Sequence, residues 1–282
     1  MKDALGERIK SQYEDRTRFS IPRRTYSIIR LDGKSFHTYT KGLNKPFDEG
    51  LITDMDSAIV ALCKQVQGMV FAYTQSDEIS LLLTDFATTQ TNAWFDGNIQ
   101  KIASVSASII TAEFNKLRWI RRNIIEETVT GKSHFNPTNT AYFDARVFTI
   151  PDPTEVYNYF VWRQQDCMRN SVSMVAQSLF SHKELHGKST VEMQEMMFQK
   201  HQLDWSYYNQ SHKNGRLIIK EEYLSKVDKE NVDKAMDNLF CCGKHNLEGA
   251  SDAILRTRWI STPAWKFTED PKKLQSMIPK YD

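Results

Sequence analysis

No two cysteines in this chain stand at metal-site spacing. Its four are Cys63, Cys167 and the adjacent pair Cys241 and Cys242, and without a CxxC pair a structural zinc site is not expected. Reduced thiols in a cytoplasmic protein are the expected state. Membrane-spanning segments are also missing, since no apolar run approaches about 20 residues. Met1 to Lys10 is charged and carries no apolar core, so no secretory signal is expected there. The chain lacks a charge excess of either sign: 37 basic residues face 35 acidic ones, a net charge of +2. Any nucleic-acid surface must therefore come from local clustering of charge. Internal repeats and low-complexity segments are absent as well.

Several catalytic signatures fail on inspection. Gly131-Lys132-Ser133 and Gly187-Lys188-Ser189 imitate the end of a P-loop, but the required earlier glycines are replaced by Glu126 and His182. His182 and His186 stand four apart without the glutamate of an HExxH site. With Lys183 and Lys188 they read as a basic patch.

What is present is an ordinary globular composition, 40% hydrophobic and 26% charged over 282 residues, enough to bury a core without staples. Residues 1–24 read as a helical arm ending in a basic stretch with Arg16, Arg18, Arg23 and Arg24. Thr25 to Leu31 reads as a buried strand that stops at Asp32 and Gly33. Met55, Ile59, Leu62 and Val66 recur at helical spacing over 54–67. Two strands follow, 69–74 and 79–84, joined by Gln75, Ser76, Asp77 and Glu78 as a tight turn. A second helix is expected over 98–119, a strand over 141–150, and a helix over 154–181. Helical pieces are expected near 190–200 and 221–240.

The order β-α-β-β-α-β over 25–150 predicts an α+β, ferredoxin-like sheet. The expected organisation is an arm (1–24), a palm-like domain with its following helices (25–220) and a helical C-terminal appendage (221–282). In this topology the first two strands run parallel and the third lies between them, antiparallel. The turn at Asp77 then falls at the sheet end where the first strand delivers Asp32. Two carboxylates on adjacent strands suit magnesium, a hard ion that takes oxygen ligands and shares phosphate, and a pair of such ions supports in-line phosphoryl displacement. Because neighbouring strand residues face opposite ways, Asp77 is favoured over Glu78 as ligand. Gly33 lets the backbone approach a triphosphate, and Lys34, Lys41 and Lys45 add positive charge. Each acidic residue alone is common turn chemistry; the pairing is what points to a site.

Separated blocks, in order, resemble one family: residues 29–37 (IRLDGKSFH), Lys45-Pro46, Phe71 to Tyr73, Ser76 to Glu78, 143–147 (FDARV) and 162–167 (WRQQDC). The chain is similar over 5–220 to the tRNA-His guanylyltransferase family. That resemblance implies a polymerase-palm core and 3′→5′ nucleotide addition to the 5′ end of tRNA, with GTP and ATP as substrates. It implies that Asp32 and Asp77, with the Gly33 backbone, hold the metal ions, that Glu78 and Lys45 support catalysis, and that Asp32 to His37 (Gly33, Lys34, Ser35 and Phe36 included), Ser76, Asp77 and Asn170 bind nucleotide. It also implies a homotetramer. Eukaryotic members carry HINNLYN after the Asp-Cys pair; here 168–174 reads MRNSVSM, and only Asn170 survives. This is similar to the bacterial and archaeal branch, which repairs truncated tRNA ends by templated addition; G addition specific to tRNA-His is the alternative.

Arg163, Asp166, Arg169 and Asn170 would share one helix face, either as intrahelical charge pairs or as a polar wall toward the nucleotide. Arg118, Arg121 and Arg122 join the N-terminal arginines, Lys183 and Lys188 as candidate tRNA contacts. Two other classes keep the same fold: a non-catalytic RNA-binding module, whose RNP1 pattern is absent here, and a nucleotidyl cyclase, which needs the metals but no tRNA surface.

Overall fold

The computed structural model describes residues 3–130, 140–226 and 253–281. The Gly131-Lys132-Ser133 motif, Cys241-Cys242 and the 227–240 part of the expected C-terminal helix lie outside them. Strand β1 (Tyr26–Gly33) is apolar at Ile28, Ile29 and Leu31, so it is covered on both sides and takes a central place. It pairs antiparallel with β3 (Glu78–Leu83) and with β4 (Phe143–Ile150). Strand β3 pairs in turn with β2 (Met69–Gln75). The spatial order β4-β1-β3-β2 bears out the α+β, ferredoxin-like reading, with β1 and β2 parallel and β3 between them.

An N-terminal arm begins with the short helix α1 (Ala4–Ile9). After β1 comes a one-turn helix, α2 (Phe36–Tyr39). Helix α3 (Glu49–Cys63) starts five residues before the expected position because Asp48 caps it, accepting from the Leu51 N–H at 2.7 Å. Together with α4 (Ile99–Thr130) it covers one sheet face. Asp54 of α3, 4% exposed, ties the two helices by accepting from Arg118 at 3.0 Å and Arg121 at 2.8 Å.

Helix α5 (Pro153–Leu179), capped by Asp152, covers the opposite face. Val156 and Phe160 bury there against Tyr26, Ile28, Phe71, Tyr73 and Leu82. Short helices α6 (His182–Leu185), α7 (Thr190–His201) and α8 (Gln210–Asn214) follow. Gly187, with φ of 74°, turns the chain before Ser189 caps α7; Gly187-Lys188-Ser189 is thus a helix junction, in keeping with its rejection as a P-loop.

The C-terminal part corrects the expected helical appendage. Residues 221–226 belong to a strand, β5 (Arg216–Lys226), whose base pairs with β2 at Thr74 opposite Arg216. A further strand, β6 (Ala253–Pro263), and helix α9 (Pro271–Met277) complete the described chain. Residues 220–260 form a second compact unit, whereas 261–282 fold with the main body. The reason is polar anchoring. Gln164 of α5 donates to the Trp265 carbonyl and accepts from the Phe267 N–H, both at 2.7 Å, and the Tyr26 hydroxyl donates to the Pro279 carbonyl at 2.6 Å. Leu274 and Ile278 sit in the same core.

Candidate active site

The register fixes the acidic cluster. Leu31 stands opposite Ile79, so the next step along β1 brings Asp32 beside Glu78 and the two-residue turn Ser76-Asp77. Ser76 adopts φ of 48°, which closes that turn while Gln75 and Glu78 remain paired. Gly33 is required here: a Cβ would lie 2.8 Å from the Asp77 carboxylate and 2.4 Å from the Phe36 ring. The backbone of β1 and the Asp77 side chain are therefore in direct contact.

These residues open onto a cleft, about 640 Å³ with its open mouth included, between the sheet end and α5. Asp32, Ser76, Asp77 and Glu78 line one side, and Asn170 of α5 the other. Burial pushes the Asp77 carboxyl up to about 6, helped by the nearby charges of Asp32 and Glu78 and opposed by hydrogen bonds from Ser76 and the backbone. Glu78 is differently placed. Arg163 Nη1 donates to both its oxygens, at 2.9 and 2.7 Å, and Arg30 Nη2 approaches within 3.2 Å. Glu78 is thus occupied by guanidinium groups, which leaves Asp32 and Asp77 as the carboxylate pair facing the cleft. Among the described residues no group of three or more His, Cys, Asp or Glu side chains forms a cation site. Two carboxylates beside an accessible backbone are nonetheless the donor set that magnesium takes when substrate phosphate and water complete its shell.

A family model described as tRNAHis guanylyltransferase matches residues 6–151, more than half of the chain. This chain belongs to the tRNA(His) guanylyltransferase family. Solved structures of a bacterial tRNA(His) guanylyltransferase-like protein agree. Its complex with ATP is 33% identical, covers 98% of this chain and 99% of that one, and superposes with a TM-score of 0.75. Its complex with GTP is 34% identical over the same shares, with a TM-score of 0.71. The tRNA(His) guanylyltransferase of Debaryomyces hansenii is 27% identical over 252 residues, 80% of this chain and 89% of its own. The family is one of nucleotidyltransferases, as its resemblance in sequence implied.

The structure sorts the expected site residues. Lys34 and His37 are exposed next to Asp32 and Gly33 in the chain, and Ser35 stands at the start of α2 with φ of 52° and no capping bond from its side chain. The Phe36 side chain does not face the cleft: it is buried against Tyr39, Phe114 and Phe143. Lys45 is exposed on the loop leading into α3. On α5 both sequence readings hold in part. Asp166 pairs with Arg163 at 3.4 Å and Arg169 at 3.0 Å, while Asn170 reaches the cleft.

The basic candidates divide more sharply. Arg118, 6% exposed, belongs to the interior with Asp54 and is no surface contact; Arg121 shares that partner. The helix stripe that placed these arginines together also aimed them at α3. Arg23 is exposed but held by Asp85 at 2.7 Å, and Lys188 by Glu192 at 3.1 Å. Arg16, Arg18, Arg24 and Lys183 are exposed, and Arg122 is half-buried. Sequence reading missed Arg30, Ser173 and Gln177. Arg30 could have been found as a charge inside an apolar strand two places before Asp32. Ser173 and Gln177 continue the helical spacing from Asn170 and line the cleft.

Proposed function

We infer that this chain adds nucleotides to the 5′ end of tRNA in the 3′→5′ direction, guided by the opposing strand. The observation that carries this reading is the Asp32–Asp77 pair at one sheet end, open to a cleft and backed by the Arg30–Glu78–Arg163 cluster. The substrates are tRNA and nucleoside triphosphates, GTP and ATP, the ligands named for the bacterial relative.

In the first step an oxygen of the tRNA 5′-monophosphate attacks the α-phosphorus of a nucleoside triphosphate and pyrophosphate leaves. In the second, the 3′-hydroxyl of the incoming triphosphate attacks the 5′ phosphorus of the tRNA, loses its proton, and displaces the activating nucleoside monophosphate. Asp32, Asp77 and the Gly33 backbone would hold two magnesium ions, which lower the charge on the transferring phosphate and favour the alkoxide. Asp77 makes this demand strongest: a carboxylate pressed upward by burial and by like charges gains most from a nearby cation. Arg30 and Arg163, held by Glu78, set the positive charge behind the site. Lys45 and Lys34, both exposed, are placed to meet phosphate. The exposed arginines of the arm contact the tRNA backbone, and the protein works as a homo-oligomer.

The template dependence separates repair from dedicated G addition. A 5′-monophosphorylated tRNA lacking its first nucleotide is offered all four triphosphates, with each of the four bases in turn at the opposing position. Incorporation should follow the opposing base. Incorporation of G against every base would favour the untemplated reaction instead.

A further inference from the structure

Glu78 lines the cleft together with Asp32 and Asp77, and 12% of its side chain is exposed. The register carries it opposite Asp32 on the same sheet face, where cross-strand side chains start about 5 Å apart. A free Glu78 would therefore reach any cation held by Asp32. It is not free. Arg163 Nη1 lies 2.9 and 2.7 Å from its two oxygens, and in this arrangement Asp32, Asp77 and Glu78 do not form a three-carboxylate cation site. Of the two partners, Arg163 is the fixed one. Its guanidinium stacks 3.6 Å from the Trp162 ring centroid, its Nη2 pairs with Asp166 at 3.4 Å, and only 4% of its side chain is exposed. Trp162 packs edge-on against Tyr159 at 6.0 Å, and the Tyr159 hydroxyl shares a hydrogen bond with Ser80 Oγ at 2.8 Å. Ser80 stands two residues from Glu78 on β3, so the frame that holds Arg163 is tied back to the strand that carries Glu78.

We propose that Arg163 is a positioning residue that withholds Glu78 from the metal ions and so keeps their coordination shells open to phosphate. The proposal rests on the metal-dependent reading above. Magnesium in phosphoryl-transfer sites is bound by one or two carboxylates and leaves its other positions to water and substrate phosphate. Two carboxylates leave a pair of divalent ions with two positive charges, which the triphosphate can meet. A third carboxylate would remove one of those charges and one of the open positions. It would hold the metal tighter and the substrate less well. Arg163 prevents this by giving Glu78 a competing, charge-assisted partner. Arg30, a single contact at 3.2 Å, is the weaker tether. The stack on Trp162 accounts for arginine at this position: a planar guanidinium can stack on a ring while donating along its edge, and an ammonium cannot.

The test uses Mn²⁺ in place of Mg²⁺ on the full chain without nucleotide. Affinity is read from the paramagnetic resonance of free Mn²⁺, and the number of waters on the bound ion from its enhancement of solvent-proton relaxation. The wild type is compared with Arg163→Met, with Glu78→Gln and with the two combined. Arg163→Met should bind Mn²⁺ roughly tenfold more tightly, the lower end of the scale on which outer-shell partners tune metal affinity. Its relaxation enhancement should fall, because Glu78 replaces a water. The double variant should return both quantities to the wild-type values. In nucleotide addition, Arg163→Met should raise the KM for the nucleoside triphosphate and leave that for tRNA unchanged. Melting scans establish that each variant is folded. If Arg163→Met is not, Glu78→Gln decides: glutamine still accepts from Arg163, so its relaxation enhancement should equal that of the wild type, whereas a rise would show that Glu78 is already a ligand. Tighter binding by Arg163→Met with unchanged enhancement would reduce Arg163 to a through-space charge, and unchanged or weaker binding would equally overturn the proposal. Mn²⁺ binding that survives Asp77→Ala would reject the metal site itself.

Discussion

At Asp77 the fold holds a carboxylate whose charge its surroundings disfavour. Its carboxyl titrates near 6, raised from 3.8 by burial first and by Asp32 and Glu78 next. Between those two values the folded chain holds a proton that the unfolded chain has released, so this group's contribution to stability falls as pH rises through that window and is lowest above it. Replacing the charge should therefore stabilise the metal-free protein. Asp77→Asn is expected to melt higher than the wild type at pH 7.5 without divalent ions, by about 2–4 °C for each kcal/mol of charge strain removed, and to lose the advantage at pH 4. Thermal scans at the two pH values check this. Glu78 is the opposite case, because its carboxylate satisfies Arg163, 4% exposed at its side chain. Glu78→Ala strands that guanidinium and should cost roughly 3–5 kcal/mol in urea unfolding, with nucleotide addition falling as well. Asp32 and Asp77 were legible in the sequence because topology alone brings them to one sheet end. The Glu78–Arg30–Arg163 cluster was not, since it depends on α5 crossing the sheet at a particular height, which no local pattern encodes.

The elements of the palm were read from strong signals. The apolar runs of β1, β2 and β3 and the period of Met55, Ile59 and Leu62 leave little freedom in pairing, and the observed register follows. Boundaries moved where capping decided them, as at Asp48. The missed elements are β5 and β6. Leu217, Ile218 and Ile219 mark the start of β5 as apolar, but the charges that follow, Lys220, Glu221 and Glu222, interrupt the pattern before Tyr223 and Leu224 and read as polar surface. The candidate tRNA contacts at Arg118 and Arg121 failed for a related reason: charge on a helix shows no direction until its partner helix is placed. The Asp54 link gives a test at this scale. Asp54→Ala leaves Arg118 buried without its partner and should lower unfolding free energy by about 3–5 kcal/mol. Changing Arg118 and Asp54 together to Met and Leu should recover most of that loss in a double-mutant cycle.

At the scale of the whole molecule, helices α3 and α4 fill one face of the sheet and α5 the other, and the sheet end where Asp32 and Asp77 emerge opens onto a cleft. No helix among the described residues is long and apolar enough to cross a membrane. With a net charge of +2, long-range attraction to tRNA would need local clusters of charge, and the exposed arginines of the arm are the proposed one. Changing Arg16, Arg18 and Arg24 together to Gln should weaken tRNA binding and lower the slope of log K against log salt by about one for each phosphate no longer neutralised. An unchanged slope would place the tRNA elsewhere.

The Asp32–Asp77 site is tested most directly by Mg²⁺-dependent addition of labelled GTP and ATP to a 5′-monophosphorylated tRNA lacking its first nucleotide, by the wild type and by Asp77→Ala in parallel. The expected result is restoration of the missing nucleotide by the wild type and no detectable product from the variant, with tRNA binding retained by both. Equal addition by the variant would contradict the proposed site, and tRNA binding without addition of any nucleotide by the wild type would make this fold an RNA-binding module instead.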